Sequence, residues 1–140
     1  MKKVISLLLC LLMCFSLSIT ASAQTIQTSI VQPYYEMAKT ANSELTVIGT
    51  TAVCENTSRG DTNVVKITAE QYLQKQGILW IWSTYDSAEW TKTVYSNVLT
   101  VSNTKTGLSS GKYRLKTVFT FTDKQGKTET ITVYSDEKSV

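Results

Sequence analysis

Beyond residue 43 the chain alternates apolar and polar side chains, and that two-residue rhythm predicts strands. The clearest run is 112–122. Tyr113, Leu115, Thr117, Phe119 and Phe121 fall on one face, and Arg114, Lys116, Thr120 and Thr122 on the other, with Val118 the apolar exception. A strand with one face on a core and the other in water needs this division. Turn residues Asp123-Lys124-Gln125-Gly126-Lys127 follow, and 128–134 returns with Ile131 and Val133 on one face. The two runs predict a hairpin.

Upstream, Val65, Ile67, Ala69 and Leu73 share a face of 63–75, with polar Gln71 marking an irregularity or bulge. Gln76-Gly77 turns the chain, and 78–85 reads Ile-Leu-Trp-Ile-Trp-Ser-Thr-Tyr, apolar on both faces. That fits a central strand, or one bearing a surface aromatic patch. Residues 91–103 predict one further strand, and 45–48 and 51–56 two more. No window supports a helix of three turns. The set predicts an all-β fold, an immunoglobulin/fibronectin-III-like two-sheet antiparallel sandwich of about seven strands. Tyr113 follows a corner carrying Gly111. In such sandwiches a tyrosine there hydrogen-bonds back to upstream backbone, so a structural role is expected of it.

The N-terminus breaks the rhythm. Lys2 and Lys3 precede an apolar stretch from Val4 to Ile19, and Ala21-Ser22-Ala23 forms a small-x-small site before Gln24. This is the pattern of a cleaved secretory signal peptide at 1–23. A membrane anchor fits less well, because the stretch falls short of the roughly 20 residues that span a bilayer. Lipidation of Cys10 or Cys14 fits poorly too, since bulky Leu9 and Met13 precede them. Residues 128–140 hold no second hydrophobic run. The expected organisation is a signal peptide at 1–23, a polar lead-in at 24–42 with the only proline, Pro33, and a sandwich at 43–140. The lead-in is expected to hold an edge strand or a short helical turn. A secreted, extracellular protein with no membrane span after cleavage is the expectation.

Loss of the leader changes the charge. The 14 Lys and Arg against 11 Asp and Glu become 12 against 11 once Lys2 and Lys3 leave. A near-neutral chain has no long-range field to steer it to nucleic acid or anionic lipid. Cys10 and Cys14 leave as well, so Cys54 is alone. It is expected to be a buried small hydrophobe; pairing with a second chain is the alternative.

Candidate chemistry is sparse. The chain has no histidine, which excludes Ser-His-Asp and Cys-His nucleophiles and His-ligated zinc. Its six glycines are isolated, so no phosphate loop is present. No cofactor and no metal are expected. Asp86 and Glu89 are the only carboxylates placed for general acid–base work, and solvated turn residues are the plainer reading of them. The expectation is not an enzyme but a non-catalytic extracellular binding or envelope-associated domain. Its candidate ligand surface is the aromatic set Trp80, Trp82, Tyr85, Trp90 and Tyr95. On a regular strand Trp80 and Trp82 share a face. If that face is solvated, the pair offers a stacking platform for sugar rings or an apolar partner; otherwise at least one Trp belongs to the core. The partner is unknown, with a cell-envelope glycan or another protein as the options. A carbohydrate-binding module is the sharper alternative, and a secreted effector or small hydrolase the remote one.

Five segments carry a resemblance: Cys54 after a Ser/Thr-rich opening, Leu73-Gln74-Lys75, Trp82-Ser83, the run Ser109-Ser110-Gly111-Lys112-Tyr113-Arg114-Leu115-Lys116, and Glu129-Thr130-Ile131-Thr132-Val133-Tyr134-Ser135. Together they resemble small secreted proteins of gut clostridia and related Bacillota, grouped as a domain of unknown function. The resemblance implies an exported bacterial domain and no known activity, so it transfers no functional residue. It departs from that group around Glu70-Gln71-Tyr72 and in the Trp-rich strand that follows.

Overall fold

Strands dominate the chain wherever the computed structural model describes it, which is residues 35–140. The leader and the lead-in before Tyr35 lie outside the described residues. The elements are β1 (Ala38–Ile48), β2 (Thr51–Gly60), β3 (Val64–Gln76), β4 (Trp82–Val94), β5 (Val98–Lys105), β6 (Lys112–Asp123), β7 (Thr128–Tyr134) and a short β8 (Lys138–Ser139). Their order is β1-β2-β5 in one sheet and β4-β3-β6-β7 in the other, with β8 added to the start of β6. Every pairing is antiparallel. The expected all-β two-sheet sandwich is what the chain forms.

The predicted hairpin is present. β7 lies on β6 with Phe119 opposite Ile131, and Gly126 takes φ 83 in the turn. Other boundaries differ from expectation. β1 starts at Ala38, inside the expected lead-in, as an edge strand of the smaller sheet. The single strand expected over 91–103 is two strands. β4 ends at Val94, residues 95–97 cross to the other sheet, and β5 begins at Val98. Val65 is exposed because the register of β3 shifts between Val64 and Lys66. Such a bulge reverses the facing of the residues around it.

Two apolar clusters fill the interior. One holds Met37, Val64, Ile67, Leu99, Phe119, Phe121 and Ile131. The other holds Leu45, Ala52, Cys54, Leu73, Leu108, Tyr113 and Leu115. Between them lies a polar belt with one residue from each of five strands: Ser43, Asn56, Gln71, Asn103 and Thr117. Asn56 Nδ2 donates to Thr117 Oγ1 at 2.7 Å, and the Ser43 and Thr117 hydroxyls are 3.0 Å apart. Gln71 Nε2 donates to Asn56 Oδ1 and to the Cys54 carbonyl, and Asn103 Nδ2 donates to Gln71 Oε1. Gln71 itself is buried in register opposite Thr117 and Trp90, and the irregularity expected there lies just beyond it, where the pairing of β3 with β4 shifts between Tyr72 and Gln74. A buried amide left unpaired costs about 1–3 kcal/mol, so the belt favours the one alignment of the two sheets that pairs all five groups.

Both open sides of the sandwich are closed by carboxylates. Beside β7, the Glu129 carboxylate accepts the backbone N–H groups of Glu36, Met37 and Ala38 at 2.8–3.0 Å. Beside β4, Asp86 pairs with Lys105 of β5 at 2.6 Å. The two contacts tie the edge strands of one sheet to those of the other.

Candidate binding surfaces

The hairpin joining β3 to β4 sets the first surface. Gln76 pairs with Trp82, and the Gly77 N–H donates to the Ile81 carbonyl at 2.8 Å, leaving Ile78-Leu79-Trp80 as its tip. Leu79 and Trp80 both take left-handed backbone, at φ 59 and 62. Each such non-glycine residue costs roughly 1–2 kcal/mol. The result is four consecutive apolar residues turned out to solvent: Ile78 is 88% exposed, Leu79 79%, Trp80 76% and Ile81 63%. The other exposed large apolar residues (Ile48, Val65, Tyr95 and Val98 among them) are scattered singly, as on any soluble protein. The expectation of a central strand over 78–85 is overturned. β4 begins only at Trp82 and is an edge strand.

A second surface lies on the outer face of the larger sheet. The Arg114 guanidinium sits 4.4 Å from the Trp82 ring and 4.4 Å from the Tyr134 ring, and its Nε donates to Gln74 Oε1 at 2.9 Å. In the next row Lys116 Nζ lies 5.6 Å from the Tyr72 ring. The planar guanidinium stacks between two aromatics and holds each ring by one face.

The five aromatics named from the sequence therefore do not form one surface. Trp80 and Tyr95 lie beyond opposite ends of β4. Trp82 faces outward beside Arg114, so it does not share a face with Trp80; the left-handed turn breaks the alternation between them. Tyr85 and Trp90 pack against the second apolar cluster. No Trp is fully buried, and Trp90 comes nearest to the core role expected of one of them. Tyr85 meets Tyr113 edge to face at 5.2 Å. Hydrogen bonds with the Ser109 hydroxyl and then its backbone N–H hold the Tyr85 hydroxyl below the ordinary tyrosine range, with Lys75 adding to the effect. Tyr113 is buried, and its hydroxyl donates to the Ser109 carbonyl at 2.7 Å, the upstream bond expected of it.

The carboxylates do not converge. Asp86 lies in an irregular stretch of β4, with φ 46, and is engaged by Lys105. Glu89 is exposed on the outer face opposite Tyr72. Both lie within β4 rather than in a turn between strands. Cys54 is fully buried, and burial pushes its thiol up to about 12. Among the described residues no group of three His, Cys, Asp or Glu side chains could hold a metal ion. A polar groove beside β1 is lined by Ser43, Glu44, Tyr134, Asp136 and Lys138. A second lies between β1 and β7, lined by Tyr35, Ala38, Ala41, Ile131 and Val133. Neither is lined by any of the five aromatics.

Sequence reasoning missed Arg114 as the centre of the outer-face stack, and Ile78, Leu79 and Ile81 as surface residues. The available signal was the unalternating run Ile-Leu-Trp-Ile directly after Gln76-Gly77. A hairpin loop there places such a run in solvent, whereas a strand places it in the core.

No family model matches the chain, and no curated protein matches it. Among solved structures the chain is similar to OgpA from Akkermansia muciniphila. Two crystal forms of wild-type OgpA align with TM-score 0.40, at 14% and 13% identity, over 74% and 81% of this chain but 30% and 33% of theirs. Catalytically inactive OgpA in complex with an O-glycopeptide substrate, glycodrosocin, aligns with TM-score 0.40 and 13% identity, over 81% of this chain and 34% of that one. This chain thus spans about a third of the length of those proteins.

Proposed function

We propose that this chain is an exported, non-catalytic binding domain that engages its partner through the tip at residues 77–81. The observation that carries the reading is the run of four exposed apolar side chains on a backbone held left-handed at Leu79 and Trp80. Solubility disfavours such a run, and a left-handed turn is ordinarily built from Gly, Asn or Asp. Apolar residues are retained there at a cost to the free protein, which a contact made elsewhere offsets. The sandwich supplies a rigid stalk. The absence of histidine, together with the pairing of Asp86 with Lys105 and the exposure of Glu89 on the outer face, supports a role in adhesion rather than in turnover.

The test is binding of the chain from Gln24 onward to envelopes prepared from the producing cell. The comparison is a Leu79→Ser/Trp80→Ser variant with unchanged urea stability. Loss of most binding in the variant is expected, and equal binding by both proteins would sink the reading.

A second reading is a carbohydrate-binding module on the outer sheet face. The half-exposed Trp82 beside Arg114 and Tyr134 favours it, since ring and guanidinium together offer a flat surface with donors. A glycan array with Trp fluorescence separates the two. A saccharide-dependent change lost in Trp82→Ala but kept in Trp80→Ser favours the sheet face.

A further inference from the structure

We infer that the tip at residues 77–81 is a bilayer-seating element, inserting Ile78, Leu79, Trp80 and Ile81 into the interface of a membrane rich in anionic phospholipid. The inference rests on the reading of the tip as the binding surface and names its partner. A projecting loop presents no concavity, so it encloses no small solute; it must enter something softer or hollow. Its composition suits a lipid interface. Three aliphatic residues flank an indole, whose ring is apolar and whose N–H reaches polar headgroups.

Although the chain as a whole is near neutral, the charge immediately around the tip is suited to that partner. Residues 71–85, which form the hairpin up to the irregular stretch of β4, carry Lys75 as their only charged side chain. In the adjoining strand Tyr113 is the register partner of both Lys75 and Lys138, with Lys112 beside it and Arg114 one residue on. Against these four cations stand Asp136 and Glu137 of the β7–β8 connection, and Glu137 pairs with Lys112 at 3.6 Å. Cations set just behind an apolar insertion are the arrangement by which interfacial segments add attraction for anionic headgroups. Ile48, 69% exposed, lies at the β1–β2 turn of the same end, where the neighbouring Thr50 carbonyl accepts the N–H of Leu108. That end thus carries a second apolar point.

The experiment uses the chain from Gln24 onward with vesicles of phosphatidylcholine alone, or with about a third phosphatidylglycerol, in which the acyl chains are brominated. Sedimentation with the anionic vesicles is expected. So are a blue shift and bromine quenching of Trp emission that disappear in Trp80→Phe while Trp82 and Trp90 stay in place. Leu79→Ser/Trp80→Ser is expected to lower partitioning about tenfold or more. Added salt is expected to weaken binding to the anionic vesicles more than to the neutral ones. A folded chain that sediments with neither vesicle overturns the inference, as does binding that both serine substitutions leave intact. Tip-dependent self-association in sedimentation velocity without vesicle binding overturns the bilayer assignment while preserving the tip as a binding surface. Indifference of envelope binding to the tip removes both.

Discussion

Gln71 of β3 donates from its side-chain amide to the side-chain oxygen of Asn56 of β2, one sheet reaching the other through the middle of the core. Thr117, Ser43 and Asn103 complete the belt around this bond. Asn56→Ala removes a donor and an acceptor, so Gln71 and Thr117 each lose one bond while Gln71 keeps the Cys54 carbonyl and Asn103 and Thr117 keeps Ser43. A loss of about 1–3 kcal/mol is expected. Because the residues act together, Asn56→Ala and Gln71→Ala are expected to be non-additive by about 0.5–3 kcal/mol in urea unfolding. Additive effects would show that the belt is not a single network.

Tyr113 anchors the corner before β6 through its bond to the Ser109 carbonyl. Tyr113→Phe keeps the packing and leaves that carbonyl one donor short, so a loss of about 1 kcal/mol is expected. It should appear as a lower urea midpoint at an unchanged slope. The neighbouring Tyr85, held below the ordinary tyrosine range, is expected to contribute the earliest phenolate absorbance in an alkaline titration of the folded chain. That early component disappears in Tyr85→Phe if the assignment is right.

Cys54 provides a pH test. Its thiol ionises at about 12 in the folded chain against 9.0 for an unperturbed thiol, because burial disfavours the thiolate. Below pH 9 the thiol is neutral in both states and contributes no pH dependence. Between those two values the unfolded chain gives up the proton while the folded chain keeps it, so stability falls as pH rises. Cys54→Ala is expected to remove this component of the alkaline decline. A thiol reagent at pH 8 should label the chain from Gln24 onward, whose one cysteine is Cys54, only in denaturant, and prompt labelling of that native chain would contradict the burial.

Arg114 tests the outer-face stack. Arg114→Lys keeps the charge and loses the flat guanidinium, so Trp82 is expected to become more accessible to iodide. The cost in stability should be about 0.5–1 kcal/mol, the usual worth of an exposed cation–aromatic contact. Unchanged quenching would mean that Arg114 does not cover the ring in solution.

Local pattern alone was enough for much of this protein. Alternation with cations on one face made β6 and β7 readable, the Gly126 turn made their hairpin readable, and the sum of short strands made the two-sheet sandwich readable, because side-chain period and turn chemistry are properties of neighbouring residues. Other decisions belonged to the tertiary structure. Gln71 reads as an irregularity in an apolar face until Asn56, from the opposite sheet, and the belt around it give that side chain its partners. The bulge at Val65 and the change of sheet at residues 95–97 follow from pairing with distant strands. The tip eluded the sequence for a different reason: an apolar run says that side chains avoid water when they can, but not whether a core lies within their reach. The left-handed backbone at Leu79 and Trp80, which residue type does not announce, carried Ile78-Leu79-Trp80-Ile81 away from the core.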